Sequence, residues 1–402
     1  MRSSFIELKD HVVSKGLCTG CGTCVGVCPH QCLIMKKEND EPEPALAGNC
    51  PGCRICYESC PGKDIPLENL ENYVFGSKRE QSSQDIGVCR SIVRGHACDS
   101  TVRRLGTSGG IVSAILQFGF DLGLIDSALL TGFDEETPYY VKPSLVTSRN
   151  QVVAFAQSKY AMVSVNELLG TAARSPEVHK LAVVGCPCHI HGIRKLQMNN
   201  MRPDITRKVT LLIGLFCATQ FYFEGTRHIL SEECGLSSLK EVQRIQYRGG
   251  EWPGHFIVET QSGKRIEVDR HHYVYHLLLP GYRRDRCMMC LDWSSELSDF
   301  SVGDYGPVKE DGENQLGEST LIVRSAMGEE FLREGEQKGY IKTEPLEKNH
   351  ILASPGFELK KHSAGYRWFQ RRLYGWPIPD YQYEPDFKPV SRKTYFLPEK
   401  KK

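Results

Sequence analysis

The sequence lacks an apolar run long enough to cross a membrane, which takes about 20 residues. Its best candidate, Leu211 to Phe223, is too short and contains Gln220. An excess of charge is also missing, because 50 lysines and arginines face 49 aspartates and glutamates. This balance gives no electrostatic reason to expect nucleic acid or an anionic membrane as a partner. The first residues mix both signs of charge where a signal peptide is apolar, so a cytoplasmic protein is expected.

Cysteine, by contrast, is abundant, with 17 residues. In a reducing compartment, clustered thiols in odd number indicate metal binding or redox chemistry rather than disulfides. Nine of them lie between Cys18 and Cys60. The run Cys-x2-Cys-x2-Cys-x3-Cys-Pro occurs there twice, and it is typical of bacterial ferredoxins with two 4Fe-4S clusters.

Each ferredoxin run is expected to give three ligands to one cluster and the fourth to the other cluster. This rule predicts a first cysteine set of Cys18, Cys21, Cys24 and Cys60, and a second cysteine set of Cys50, Cys53, Cys56 and Cys28. A pair of zinc sites is the alternative, but zinc favours separated pairs of ligands and does not explain the spacing. Cys32 lies outside the run and is interpreted as a small buried residue.

A third ligand group is predicted from cysteines that are distant in the sequence. Cys287-x2-Cys290 is a ligand pair that needs further ligands, whereas Cys186, Cys188 and Cys217 follow predicted strands. Strand ends meet at one edge of an α/β sheet, so these thiols are expected to lie together. The composite cysteine set, proposed to bind a third 4Fe-4S cluster, is Cys188, Cys217, Cys287 and Cys290. A redox-active dithiol at Cys186 and Cys188, or a structural zinc, remains an alternative.

The rest of the chain alternates helix-like and strand-like segments, which predicts α/β layering. A helix is expected from Gly110 to about Gly123, and strands over 127–131, 181–185, 209–216, 300–302 and 321–323. The segments HFIVET and KRIEVDR flank a Gly-containing turn and predict a hairpin, so the sheet is expected to be mixed. The predicted divisions are a ferredoxin module (1–65), a surface linker (66–98), a catalytic domain (99–375) and an extended proline-rich basic tail (376–402). The tail is expected to wrap a partner or to hang loose.

An enzyme that couples single-electron clusters to a two-electron substrate needs a converter, and flavin is the usual one. The glycine-rich turn 106–110 precedes an apolar helix, so its amides and the helix N-terminus suit a pyrophosphate. A plain helix start is the other interpretation of this turn. The turn 106–110 does not match the G-x-G-x-x-G fingerprint, so a standard dinucleotide-binding Rossmann domain is not supported.

The doubled ferredoxin run, followed in order by GTSGGIVSAIL, QSKYAM, VVGCPCHIHGIRKL, YRGGEWPG and RCMMCLDWSSELSDFSVGDYG, resembles the coenzyme F420 hydrogenase/dehydrogenase beta-subunit family. The resemblance covers about Leu17 to Pro307. It implies an iron-sulfur flavoprotein that binds FAD, exchanges hydride with coenzyme F420 and passes single electrons through its clusters. Its fold would be α+β / α/β, with a two-cluster ferredoxin-like module followed by a mixed-sheet FAD-binding α/β domain. A ferredoxin or another redox subunit would be the one-electron partner, in a complex or homo-oligomer.

The resemblance also implies roles for individual residues. Lys159, Tyr160 and Arg248 are expected to be catalytic residues beside the flavin. The expected cofactor contacts are Thr107, Ser108, Gly109, Gly110, Ser158, Lys159, Tyr160, Pro187, His189, Trp252 and Asp304. Ordinary roles remain open for some of them, such as a surface lysine at 159 and a structural cap at 304.

In the family's G-x-P-C turn, Cys186 stands where threonine is usual. This departure leaves open whether Cys186 or Cys188 is the cluster ligand.

Three functions fit these motifs, because family members share a scaffold rather than a substrate. The first is hydride transfer between coenzyme F420 and FAD. The second keeps the cofactors but changes the substrate, as in 7-hydroxymethyl chlorophyll a reductase, and a plastid transit signature that would favour it is missing. The third is an electron-relay subunit without its own substrate site, which predicts clusters without stoichiometric flavin.

Overall fold

The computed structural model describes residues 4–80, 85–279, 281–309, 315–353 and 355–384. The helices are α1 (Ser4–Leu8), α2 (Thr23–Gly26), α3 (Ile55–Glu58), α4 (Leu67–Phe75), α5 (Ser100–Leu105), α6 (Ile111–Asp121), α7 (Leu169–Arg174), α8 (Pro187–Met198), α9 (Pro203–Thr206), α10 (Phe223–His228), α11 (Arg270–Leu277), α12 (Asp285–Met288), α13 (Ala326–Gln337), α14 (Lys348–Leu352) and α15 (Pro355–Leu373). The strands are β1 (Leu33–Glu38), β2 (Glu41–Leu46), β3 (Ser91–Ala97), β4 (Ser127–Phe133), β5 (Val141–Val146), β6 (Leu181–Gly185), β7 (Val209–Leu215), β8 (Val242–Gly249), β9 (His255–Thr260), β10 (Arg265–Asp269), β11 (Phe300–Lys309), β12 (Gln315–Val323) and β13 (Ile341–Pro345).

The N-terminal module has two matching halves, one for each ferredoxin run. A one-turn helix, α2 or α3, carries the third cysteine of each run, and the hairpin β1–β2 lies between the halves. The residue before each helix, Gly22 or Arg54, is left-handed, with φ of 78° and 67°. Such backbone folds each cysteine loop tightly, and it is costly for any residue except glycine.

The central domain is built on a mixed eight-stranded sheet with the order β13-β3-β12-β11-β7-β6-β4-β5. The middle strands β11, β7, β6 and β4 run parallel, and the outer pairs are antiparallel. The apolar face of α6 packs on one side of this sheet, and α8 and the N-terminal module pack on the other. This arrangement confirms the predicted mixed sheet, and it directs the carboxyl ends of β4, β6 and β7 to one edge.

Several predicted elements are confirmed with small shifts at their ends. Helix α6 begins directly after Gly110, and β4, β6 and β7 begin where the pattern places them. The predicted hairpin is the antiparallel pair β9–β10, which joins β8 in a separate three-stranded sheet. Strands β11 and β12 are longer than expected, and they pair antiparallel with each other.

The predicted linker 66–98 is wrong, because this segment contains α4 and β3. Helix α4 buries Leu67, Leu70 and Glu71, and the Glu71 carboxylate pairs with the buried Arg79. Strand β3 pairs with β12 and β13 inside the main sheet. The polar composition of the segment indicated a surface linker, but its charged residues Glu71 and Arg79 are buried and pair with each other.

The first part of the predicted tail packs against the chain itself. Ile65 N donates to Asp380 O at 2.6 Å, Leu67 N donates to Tyr381 O at 3.2 Å, and the Tyr381 side chain is buried. Residues 385–402 lie outside the described residues. Among the helices that the structure describes, none combines the length and apolarity needed to cross a membrane.

Candidate active site

A cavity of about 570 Å³ opens at the carboxyl edge of the parallel strands. Its floor comes from the ends of β4 and β6, the 215–221 segment after β7, and Val302 to Asp304 of β11. Open α/β sheets bind ligands at this edge, and the volume falls within the roughly 300–1,000 Å³ of typical ligand pockets. The position and size suit a large planar cofactor.

The glycine-rich turn before α6 forms one wall of the cavity, with Gly106, Thr107, Ser108 and Gly110 on its surface. Gly110 caps α6 with φ of 71°, and a Cβ there would lie 2.6 Å from Val102 O. Only glycine fits this position, so the turn directs the amino end of α6 into the cavity. A phosphate group is complementary to this end of the helix.

The predicted contact Gly109 faces the sheet rather than the cavity. Its N–H donates to Ser319 Oγ at 3.0 Å, and its carbonyl accepts from Ala97 N at 2.7 Å. A Cβ at this position would lie 2.4 Å from Gly95 O. Gly109 therefore anchors the turn and does not line the cavity.

The segment 155–160 forms an adjoining part of the wall and is tied to the turn, since Ser158 N donates to Thr107 Oγ1 at 2.7 Å. Lys159 Nζ donates to the carbonyls of Phe155, Ala156 and Gln157 at 2.7, 2.8 and 3.1 Å. Burial lowers the pKa of Lys159 to about 7. The three carbonyl contacts of its Nζ distinguish Lys159 from a freely solvated surface lysine.

Tyr160 lines the same wall. Its ring packs edge-on against Tyr247 and Phe221, with centroid distances of 5.7 and 6.3 Å. These contacts fix the Tyr160 ring as a firm aromatic surface beside the cavity.

Arg248, Asp304 and Ser108 form a polar group at the rim. Arg248 Nη1 lies 2.5 Å from Asp304 Oδ2, its Nε donates to Pro253 O at 2.8 Å, and Ser108 Oγ donates to Asp304 Oδ1. The remaining Arg248 Nη2 is buried and has no hydrogen-bond partner among the described residues. Buried donors are almost always paired, so this nitrogen suits an acceptor on a ligand.

Of three further predicted cofactor contacts, Pro187, Trp252 and His189, only His189 lines the cavity. Pro187 is the first residue of α8, and Trp252 packs near Gly317 and Ser108; neither side chain lines the cavity. His189 does line it, accepting from Cys186 N through Nδ1 at 3.0 Å and donating through Nε2 to Val163 O at 2.9 Å. Burial lowers the pKa of His189 to about 4, so its ring is neutral.

The structure brings the members of the first cysteine set together, although they come from two separate runs. Burial raises the pKa of the Cys24 thiol, and the neighbouring thiols of Cys60, Cys18 and Cys21 raise it further. These four thiols line one small cavity. Gly20 N donates to Cys18 Sγ at 3.4 Å and Gly62 N donates to Cys60 Sγ at 3.3 Å, which is typical support for cluster sulfurs.

The second cysteine set also crosses between the runs. Burial raises the pKa of Cys56 to about 11, with further increases from Cys53, Cys28 and Cys50. Cys53 is exposed, whereas every member of the first set is buried or half-buried. The second set is therefore the one nearer to solvent.

The composite cysteine set assembles below the cavity. Burial raises the pKa of the Cys188 thiol, and Cys21, Cys217, Cys287 and Cys290 raise it further. Its neighbours therefore include the three predicted partners and one thiol of the first set. Cys186 also has Cys217, Cys188 and Cys287 as neighbours, and Cys188 differs in having Cys290 and Cys21 beside it as well.

Cys186 lies beside the composite set and also lines the cavity. A hydrogen bond from Cys186, followed by the charge of Lys360, lowers the pKa of Cys217 to about 7. Gln220, which no motif marks as a site residue, also belongs here: its Nε2 donates to Cys186 Sγ at 3.1 Å, and its Oε1 is buried without a partner in the described part of the chain. Its position three residues after Cys217, at the same strand end, was the available signal.

Models of known protein families match most of the chain. The model for the coenzyme F420 hydrogenase/dehydrogenase beta subunit matches its N-terminal part at residues 92–170 and its C-terminal part at residues 178–349. A 4Fe-4S binding domain matches residues 11–34.

Two relatives and one solved structure show the extent of the similarity. The coenzyme F420-dependent sulfite reductase of Methanocaldococcus jannaschii is 28% identical over 96% of this chain, and the chain spans 56% of that protein's length. The coenzyme F420 hydrogenase subunit beta of Methanothermobacter thermautotrophicus is 28% identical over 73% of this chain and 99% of the relative. A solved chain of the F420-reducing hydrogenase complex from Methanosarcina barkeri is 25% identical, with a TM-score of 0.57 over 72% of this chain and 95% of that one.

The two parts of the family model together span more than half of the residues, and they include the cavity walls and the composite cysteine set. The resemblance predicted from the motifs is confirmed, and the chain belongs to the coenzyme F420 hydrogenase/dehydrogenase beta-subunit family.

Proposed function

We propose that this chain is an iron-sulfur flavoprotein that transfers hydride between coenzyme F420 and FAD and passes single electrons through three 4Fe-4S clusters. The observation that carries the proposal is the shared wall between the cavity and the composite cysteine set, since Cys217 lines the cavity. A two-electron site and a one-electron site therefore adjoin. The proposal of coenzyme F420 as substrate is supported by relatives named F420-dependent sulfite reductase and F420 hydrogenase subunit beta.

The residues around the cavity fit FAD. The turn 106–110 and the amino end of α6 would hold the phosphates, and the unpaired Arg248 Nη2 would bind an oxygen of the cofactor. When bound, FAD supplies hydride exchange on one side and single-electron exchange on the other. Val184, Leu215 and Val302 give the cavity apolar surface that excludes water from the reacting rings.

Lys159, Tyr160 and Arg248 are proposed as the catalytic residues. Lys159 places a cationic head within a cage of carbonyls beside the cavity, where it stabilises negative charge on a reduced ring. Tyr160 offers its fixed ring for packing against a flat substrate. Arg248 is oriented by Asp304, which leaves one guanidinium edge for the ligand.

The three cysteine sets form an ordered path away from the cavity. Cys217 of the composite set lines the cavity, Cys188 of the same set neighbours Cys21 of the first set, and both ferredoxin runs connect the first set to the second. The exposed Cys53 ends the path at the surface. A ferredoxin or a partner subunit is proposed to dock there and to exchange electrons.

Cofactor analysis of anaerobically purified protein tests this proposal. About 12 irons and one FAD per chain are expected, because three cubes hold four irons each. A Cys217→Ser variant should retain FAD and reduce its flavin with reduced F420, yet transfer few electrons to an added ferredoxin. A Cys234→Ser variant is the matched control, since Cys234 is buried in the apolar core around β8 and β9, apart from the three sets. Protein with clusters but without flavin after reconstitution would contradict the proposal.

A further inference from the structure

Outside the cysteine sets and the cavity, three histidines and a glutamate meet on the helices beside β8. His228 ends α10, Glu233 ends the π-helical turn Ile229–Glu233 that follows, and His272 and His276 lie on α11. One ligand atom from each of His228, Glu233 and His276 lies within 4.8 Å of the others. We propose that His228, Glu233 and His276, the histidine-glutamate cluster, bind a divalent transition metal of the zinc class.

The local backbone explains why these side chains converge. His228 and Glu233 are five residues apart, which would separate them on an α-helix, but the π-helical turn brings them to one face. Its widened hydrogen bond runs from Cys234 N to Ile229 O at 3.0 Å. His272 and His276 are four residues apart on α11 and share a face, which is the spacing of helical zinc-binding histidine pairs.

Glu233 lies at the centre of the cluster. Its Oε2 is 2.7 Å from His272 Nε2, and its Oε1 is 3.2 Å from His276 Nε2. The rings of His228 and His276 lie 5.5 Å apart between centroids. The imidazole nitrogens of His228 and His276 and one Glu233 oxygen are ligands that zinc takes with a water in the fourth position, and His272 bonds the other Glu233 oxygen.

The cluster is accessible and close to its binding geometry. His276 and Glu233 keep 25% and 16% of their side-chain surface exposed, so an ion can enter and the side chains can rotate. Ligand atoms around tetrahedral zinc lie roughly 3.3 Å apart for bonds of about 2.0 Å. The 3.2 Å between His276 Nε2 and Glu233 Oε1 is already in this range, and the ligand atoms of His228, Glu233 and His276 all lie within 4.8 Å of one another.

The site gives the metal a structural role next to the cavity. The other face of α11 carries Val274 and Leu277, which line the cavity wall. A metal bound by His228, Glu233 and His276 would join this wall helix to α10 and the π-helical turn. The proposed role is to hold α11 in place, and it does not depend on the identity of the cavity's substrate.

Zinc dialysis of the reconstituted holoprotein tests the site. Zinc is counted by mass spectrometry after equilibrium dialysis against Zn²⁺ under anaerobic conditions. The wild-type protein should bind one more zinc per chain than a His228→Gln/His276→Gln double variant. His271→Gln is the matched control, since His271 is exposed on the same helix and outside the cluster, and it should keep the additional zinc.

Two further measurements complete the test. Glu233→Gln should bind zinc at least roughly 10-fold more weakly, since even the loss of a group outside the ligand sphere costs 10- to 100-fold. Zinc should also slow hydrogen exchange over α11 in the wild type and in His271→Gln, but not in the double variant. Equal zinc in the wild type and the double variant would overturn the site, and zinc binding without slower exchange would overturn its structural role.

Discussion

Tyr381 offers the sharpest test of the composite cysteine set. Its hydroxyl donates to Cys290 Sγ at 3.2 Å and accepts from Leu291 N at 3.2 Å, and its side chain is only 1% exposed. A Tyr381→Phe change removes the hydroxyl and keeps the ring, which packs against Trp368 with a centroid distance of 5.6 Å. The perturbation therefore acts on one sulfur, one amide and the neighbouring Arg286 guanidinium.

The expected effect follows from the charge of the sulfur. A hydrogen bond to a thiolate stabilises the more negative, reduced cluster more than the oxidised one. We take the Tyr381–Cys290 hydrogen bond to be about 1 kcal/mol stronger in the reduced cluster than in the oxidised one. Its loss then lowers the reduction potential of the cluster by about 40 mV, since 1.4 kcal/mol corresponds to 59 mV for one electron. Leaving the buried Leu291 N–H unpaired should also cost about 1–3 kcal/mol of stability.

Redox titration followed by electron paramagnetic resonance measures this shift in the anaerobic holoprotein. One of the three cluster signals should move to lower potential in Tyr381→Phe, and the other two should keep their potentials. Tyr374→Phe is the matched control, because Tyr374 is 69% exposed and makes its ring contact with Trp376. The reasoning is refuted if no signal shifts in Tyr381→Phe, or if Tyr374→Phe causes the same shift.

Three further changes test other parts of the structure. Gly110→Ala places a Cβ at positive φ and 2.6 Å from a carbonyl, so the flavin-to-iron ratio should fall while iron content is kept; an unchanged ratio would remove the turn from the site. Because burial lowers the pKa of Lys159 to about 7, its charge is lost as pH rises through 7, and the rate of flavin reduction by reduced F420 should fall there. Lys159→Gln should give a flat stopped-flow profile, and an identical inflection in both proteins would contradict this role. Arg79→Met leaves the Glu71 and Glu296 carboxylates buried without their shared partner, so denaturant unfolding should show a loss of about 3–5 kcal/mol. A loss below about 1 kcal/mol would show that Arg79 is not needed.

Local spacing made the ferredoxin runs predictable, because cluster chemistry dictates the distance between ligands along a tight loop. The convergence of Cys188 and Cys217 was also predictable, since both follow parallel strands of one sheet. The sequence left Cys186 and Cys188 as alternatives, because two cysteines on either side of Pro187 in one turn differ mainly in the direction of their side chains. That direction depends on where α8 begins, and α8 begins at Pro187.

Other features depend on contacts that sequence patterns do not carry. Segment 66–98 looked like a linker because Glu71 and Arg79 are charged, yet both are buried through their pairing with each other. Tyr381 lies 91 residues from Cys290, and no motif connects them. The metal-site proposal depends on a π-helical turn, and the sequence shows only the spacing of His272 and His276.

The central claim is that the cavity exchanges hydride with coenzyme F420 and passes the electrons to the clusters. Rapid anaerobic mixing of the oxidised holoprotein with reduced F420, followed by absorbance, tests it most directly. The flavin absorbance should bleach first, at the rate at which F420 appears, and the cluster absorbance should bleach afterwards. Full cofactor content with no bleaching on mixing would contradict the claim.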